Sequence, residues 1–246
     1  TANATNATLV TWSSNGTGSF DDVNLVNATY TPSAADVLNG SVILTMTVTS
    51  AAPCVGDVDQ MVLSINPQAT VNAGVDAAIC EGLTYTLTTA TATDATSLLW
   101  TTSGTGTFDD ATILSAIYTP SPADITAGSV TLTLTAQSAA PCVSATDDMV
   151  LSISLQATAD AGVDATICEG SSYTLSTANA TNATLVTWSS NGTGSFDDVN
   201  LVNATYTPSA ADVLNGSVIL TMTVTSAAPC VGDVDQMVLS INPQAT

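Results

Sequence analysis

The chain has 246 residues, of which 21 are Asp or Glu and none is Lys, Arg or His, giving a formal charge of −21. Without cations to displace counterions from phosphates or to meet anionic lipid, nucleic-acid binding and electrostatic attachment to a membrane surface are excluded. The same absence removes the base of Ser-His-Asp and Cys-His catalysis, the cationic clamp of phosphoryl transfer and the imidazole ligands of zinc, so the chain reads as non-enzymatic. Paired carboxylates such as Asp109 and Asp110 remain, but neighbours on a strand point to opposite faces. No apolar run reaches the roughly 20 residues of a membrane-spanning helix, so direct insertion is not expected. Trypsin-like proteases have no site to cut.

A tandem repeat organises the chain. Residues 1–70 recur without a change as 177–246, and Trp12, Trp100 and Trp188 stand 88 residues apart (100 − 12 and 188 − 100). Three copies follow, spanning 1–70, 71–158 and 159–246, with the middle one a variant. The first begins beyond the segment that reads AGVDAAICEG and AGVDATICEG in the later copies, and is read as N-terminally truncated, a window on a longer array. A full copy is long enough to close its own core, unlike the short repeats of solenoids, which implies separate domains in series.

Taken in chain order through the second copy, a first strand is expected over 69–73 continuing at 77–80, a second at 84–88 and a third at 97–102 with Trp100 inside. A Gly104-Thr-Gly106 turn leads to short strands at 107–108 and 113–119. The run Pro120-Ser-Pro-Ala-Asp124, closed by Gly128, predicts a one-turn helical crossover. Val130, Leu132 and Leu134 alternate with threonines and Met149, Leu151 and Ile153 with polar or smaller residues, the period of two that marks strands over 129–137 and 147–154. Threonine suits both pleat and water, which explains soluble strands with so little charge. About seven short strands with a Trp on the third predict an all-β chain of tandem immunoglobulin-like β-sandwich domains arranged as an extended filament, with Trp12, Trp100 and Trp188 in the cores rather than serving as sugar-stacking platforms.

Five cysteines, Cys54, Cys80, Cys142, Cys168 and Cys230, point to an oxidising compartment. Two pairings are open. Local pairing joins Cys80 to Cys142 and Cys168 to Cys230 within copies. In the strand order above, however, the residue ending the first strand and the residue before the last lie at opposite poles, roughly 25 Å apart for a strand of about eight residues. A disulfide needs α-carbons within about 4.4–6.8 Å. Cys80 is therefore expected to reach Cys230 across the junction with the next copy, leaving Cys54, Cys142 and Cys168 for partners outside the chain.

That geometry also gathers Glu81, Asp124, Asp233 and Asp235 at a junction, an oxygen-rich group of the kind calcium takes, although without a fixed ligand spacing. Solvated turn residues are the competing reading. Phe108-Asp-Asp110 and Phe196-Asp-Asp198 are a weaker candidate of the same sort. The Asn-x-Ser/Thr triplets at Asn3, Asn6, Asn15, Asn27 and Asn39 match a glycosylation acceptor but read more simply as turn chemistry in a threonine-rich chain.

The phrases AGVDATICEGSSYTL, TYTPSAAD and SAAPC followed by MVLSI resemble the immunoglobulin-like repeats of very large Bacteroidetes surface proteins, including the SprB-like gliding-motility adhesins of flavobacteria. The resemblance implies export by a type IX secretion system, an extracellular place on the cell surface, adhesion to a substratum or surface polysaccharide, and coupling to the outer-membrane gliding and secretion machinery. On this reading the chain is a structural stalk whose nearest partners are adjacent repeats of the same chain. A carbohydrate- or protein-binding repeat, a spacer for an enzyme elsewhere in the polypeptide and a self-assembling sheath or surface layer are the rival readings.

Overall fold

A computed structural model describes residues 2–244; Thr1, Ala245 and Thr246, at the outer ends of the first and third copies, lie outside the described residues. Contacts group the chain into two compact units. One comprises Thr1–Asn72, Thr91–Leu99 and Leu134–Asp147, the other Ala73–Ala90, Trp100–Thr133 and Asp148–Thr246.

The larger unit contains the whole third copy, which is a β-sandwich. One sheet runs in the order Ala165–Cys168, Asp233–Asn242, Ser217–Thr225, Leu185–Ser190. The second has Tyr173–Thr174, Thr205–Thr207 and Ser195–Phe196. Alternation does the work the sequence promised. Val218, Leu220, Met222 and Val224 turn inward and are buried, while Thr221, Thr223 and Thr225 occupy the other face. Trp188, Leu220, Met237, Leu239 and Tyr206 share one core, closed by Leu175.

The first strand of the third copy changes sheets. Thr158–Asp160 pairs antiparallel with Asn179–Thr181, whereas Ala165–Cys168 pairs parallel with the last strand, Ala165 opposite Leu239 and Cys168 opposite Asn242. Gly162 makes the switch at φ 84, where an added Cβ would also collide with Thr177 Oγ1. In the second copy Ala77–Cys80 runs parallel to the last strand in the same way, with Cys80 opposite Ser154.

In the smaller unit, the first copy forms a three-stranded sheet ordered Leu9–Ser14, Ser41–Thr49, Asp57–Ser64 and a hairpin of Ser19–Phe20 with Tyr30–Thr31. Here Asp57–Ser64 is an edge.

The expected strands over 77–80, 97–102, 107–108 and 129–137 are found at Ala77–Cys80, Ser97–Thr102, Thr107–Phe108 and Ser129–Gln137. Two others shrink to Tyr85–Thr86 and Ile117–Thr119, and the last lengthens to Ala145–Ser154. Thr91–Thr93, paired with Thr70–Asn72, was not anticipated, because three polar or small residues carry no alternation to read. The crossover is a six-residue helix, Pro122–Ala127, with Ser121 as N-cap and Gly128 as left-handed C-cap.

Candidate functional site

Two constructions stand out, a cystine seam and a buried carboxylate. The seam lies in the larger unit, where the end of the second copy meets the turn before the last strand of the third. Cys80 closes its strand and is joined to Cys230 with the α-carbons 4.9 Å apart, across 150 residues of sequence. Neither local pair forms, and Cys54, Cys142 and Cys168 are free thiols.

Main chain on both sides buttresses the bond. Glu81 N donates to Ser154 O at 2.8 Å and Gln156 N to Glu81 Oε1 at 2.7 Å, fixing the residues after Cys80 to the end of the second copy. Ser154 Oγ donates to Ala228 O at 2.9 Å and Gln156 Nε2 to Val231 O, holding the Cys230 turn, which contains the cis peptide Ala228–Pro229. Ala157 N then donates to Ser226 Oγ at 2.9 Å, Ala159 N to Asp233 Oδ2 at 3.0 Å and Ala161 N to Asp235 Oδ2 at 2.8 Å. Each polar group of the connecting segment is thus taken up by the turn and strand it crosses.

These contacts also decide the fate of the calcium expectation at Glu81, Asp124, Asp233 and Asp235. Three of the four carboxylates accept main-chain amides of the connection, and the Ala159 and Ala161 bonds are the reason Asp233 and Asp235 alternate on one face. The backbone amide of Ala159 draws the carboxyl of Asp233 below its ordinary range. Asp124 serves a different purpose, described next. Among the described residues, no group of three or more His, Cys, Asp or Glu is placed to hold a metal ion. The paired aspartates of the Phe-Asp-Asp turns are likewise engaged. Asp197 Oδ1 accepts from Asp198 N at 2.8 Å and Thr205 N at 2.7 Å, and Asp198 Oδ1 accepts from Asn200 N at 2.9 Å.

The buried carboxylate occurs in every copy, at Asp36, Asp124 and Asp212, each no more than 2% exposed. Asp212 Oδ1 accepts from Thr193 N at 3.0 Å, and Oδ2 from Gly194 N, Tyr206 OH and Ser209 N, each at 2.9 Å. Its own amide donates to Ser209 Oγ, completing a capping box on the helix Ala210–Asn215. One side chain therefore ties the Gly192-Thr-Gly194 turn, a core tyrosine and the crossover helix together. Close approach dictates both glycines, since a Cβ at Gly192 would strike Asp212 Oδ1 and one at Gly194 would strike Thr207 O. Burial alone would push the Asp124 carboxyl up, but amides of Ser121 and Thr105 and the Tyr118 hydroxyl outweigh it and hold it down to about 2. Burial, with the nearby carboxylate, raises the Tyr118 and Tyr206 hydroxyls. The carboxylate is a structural lock with no open approach to its oxygens.

The tryptophans differ by copy. Trp100 and Trp188 are each 2% exposed, whereas Trp12 is only half-buried. In the third copy, Trp188 stacks on Phe196 at 6.0 Å, Phe196 meets Tyr206 at 4.9 Å, and Trp188 Nε1 donates to Leu201 O at 3.1 Å. The rings there are consumed by the core. Asn191 Oδ1 accepts from Ile219 N at 2.8 Å, a turn role for one glycosylation-like asparagine.

No family model and no curated protein matches the chain. Among solved structures, the I-band fragment I67-I69 from titin aligns with a TM-score of 0.52 at 13% identity, covering 96% of this chain and 88% of that one. The 3Ig structure of an E-to-A mutated variant of the same titin domains gives 0.51 at 13% identity with the same coverage. Human CDH23 EC21-23 gives 0.47 at 13% identity, covering 94% of this chain and 88% of that one. The titin likeness establishes the class. This is an all-β chain of tandem immunoglobulin-like sandwich repeats, carrying one disulfide. Among the described residues no helix is long and apolar enough to cross a membrane.

Proposed function

We propose that the chain is a stalk segment of an extracellular surface adhesin, in which the three copies 1–70, 71–158 and 159–246 are successive domains and the mechanical link between them is the function. The observation that carries this reading is the bond from Cys80 to Cys230, which joins the start of the second copy to the end of the third. A bond of this kind adds nothing to a binding surface. It does limit how far the polypeptide can lengthen if a domain opens under load. The net charge of −21 favours an extended, soluble string, since no cation within it offsets the repulsion. The repeat phrases shared with gliding-motility adhesins support an outer-surface location, type IX export and service in adhesion during gliding, with adjacent repeats, a polysaccharide or substratum and the outer-membrane machinery as partners.

Pulling single molecules by their ends tests the mechanical part. With the bond intact, the 150 residues between the cysteines are shielded from force. Reduction should release roughly 500 Å more contour length at 3.3–3.6 Å per residue. Equal lengths before and after reduction would sink the stalk reading. An antibody to the repeat that fails to label intact producing cells would sink the surface assignment.

A further inference from the structure

The same sequence is packed differently in the first and third copies. In the third copy the strand Ala165–Cys168 lies parallel to Asp233–Asn242, and Leu175, 1% exposed, fills the core against Trp188, Tyr206, Met237 and Leu239. Their counterparts in the first copy, 176 residues earlier, are Trp12, Tyr30, Met61 and Leu63, and these four line an open cleft beside the edge strand Asp57–Ser64. Met61 is 49% exposed where Met237 is 1%.

The smaller unit also holds a thiol at the end of this cleft. Cys142 Sγ donates to Asn66 O at 3.2 Å, just as Cys230 Sγ lies 3.3 Å from Ser154 O in the larger unit. The surroundings match residue for residue at a shift of 88. Asn66 Nδ2 donates to Ala140 O as Ser154 Oγ does to Ala228 O, and Ala69 N donates to Ser138 Oγ as Ala157 N does to Ser226 Oγ. In the larger unit the residue opposite Ser154 is Cys80, the partner of Cys230.

We propose that the first copy is a strand acceptor, whose cleft takes an extended Ala-x-Ile-Cys strand from another repeat polypeptide of the same kind and whose Cys142 closes a disulfide on that strand. The strand runs parallel to Asp57–Ser64, its Ala opposite Leu63 and its Cys opposite Asn66, and its following Leu enters the cleft between Trp12 and Met61. Main-chain pairing supplies affinity and the alternating side chains supply register. Closure couples two thiols with a small-molecule disulfide as oxidant. One S–S bond forms between Cys142 and the strand, one breaks in the oxidant, and the two protons leave with the two small thiols released.

The test uses the full chain, glutathione disulfide and a synthetic peptide AGVDATICEGSSYTLS, identical to residues 161–176. Non-reducing peptide mapping should find the peptide on Cys142 at least about tenfold over the exposed Cys54 and Cys168, because register rather than exposure selects it. A peptide with Ser in place of its Cys should still slow hydrogen exchange of the 62–66 amides by at least about tenfold, and one with Asp in place of its Ile should not. Cross-linking spread over all three thiols, without slowed exchange at 62–66, overturns the proposal. So does slow exchange there in the chain alone, accompanied by dimers in sedimentation, which would mean that a second copy pairs edge to edge.

Discussion

Residues 1–70 and 177–246 are one sequence in two settings, and comparing them separates what a sequence does locally from what it needs from elsewhere. The carboxylate lock is the same in both. Asp36 accepts Thr17 N at 3.0 Å, Gly18 N at 2.8 Å, and Tyr30 OH and Ser33 N at 2.9 Å, as Asp212 accepts its four donors, and both are buried. All its partners lie within 19 residues of the aspartate. The core is not the same. Met61, Leu63, Trp12 and Tyr30 are partly or largely exposed, while Met237, Leu239, Trp188 and Tyr206 are buried, because Leu175 and the strand Ala165–Cys168 cover only the third copy. Alternation decides which face of a strand is apolar; a covering strand decides whether that face becomes a core.

The largest test of the contrast removes the bond. Cys80→Ser with Cys230→Ser should cost the larger unit up to about 5 kcal/mol by the chain-entropy argument for a loop of this length. Segment-resolved hydrogen exchange should show the first-copy strands unmoved. Next, Asp212→Ala leaves buried donors without a partner and should cost on the order of 3 kcal/mol in the third copy. Asp36→Ala should do the same within the first, and a much smaller loss there would mean that the lock is not local after all. The methionines give the sharpest contrast at a smaller scale. Met237→Ala should cost about 2–4 kcal/mol and Met61→Ala no more than about 0.5, read from urea midpoints of each unit.

Acid should have the mildest effect. A lock whose folded carboxyl is held to about 2, against 3.8 for an unperturbed one, stabilises fully above about pH 4 and loses that contribution as pH falls toward 2. Thermal midpoints at pH 5 and pH 2.5 should therefore differ in the wild type, and less so once the lock aspartates are replaced by Asn.

Much of this was legible. The threonine-leucine alternation over 129–137 and the tryptophan strand at 97–102 are long enough for period alone to place them, and the position of Cys80 at the end of a parallel strand follows from that order. Asp124 was misjudged as a calcium candidate on its charge and its turn position. The spacing Ser121-x-x-Asp124 already carried the capping-box signature that accounts for it, and the two glycines of Gly104-Thr-Gly106 carried its second half. Asp233 and Asp235 were not readable in this way, since the amides they satisfy at Ala159 and Ala161 lie 74 residues away. Nor did the identity of the two copies betray that Trp12 would be half-exposed and Trp188 buried. Burial there depends on residues outside the repeated seventy.

The account rests most directly on one covalent link, and non-reducing peptide mapping reads it. The chain, oxidised and digested at acidic residues because it has no Lys or Arg, should yield a peptide pair containing Cys80 and Cys230, with Cys168 as a free thiol. Recovery of Cys80 with Cys142, or of Cys168 with Cys230, would contradict it and turn a stapled series of domains into independent ones.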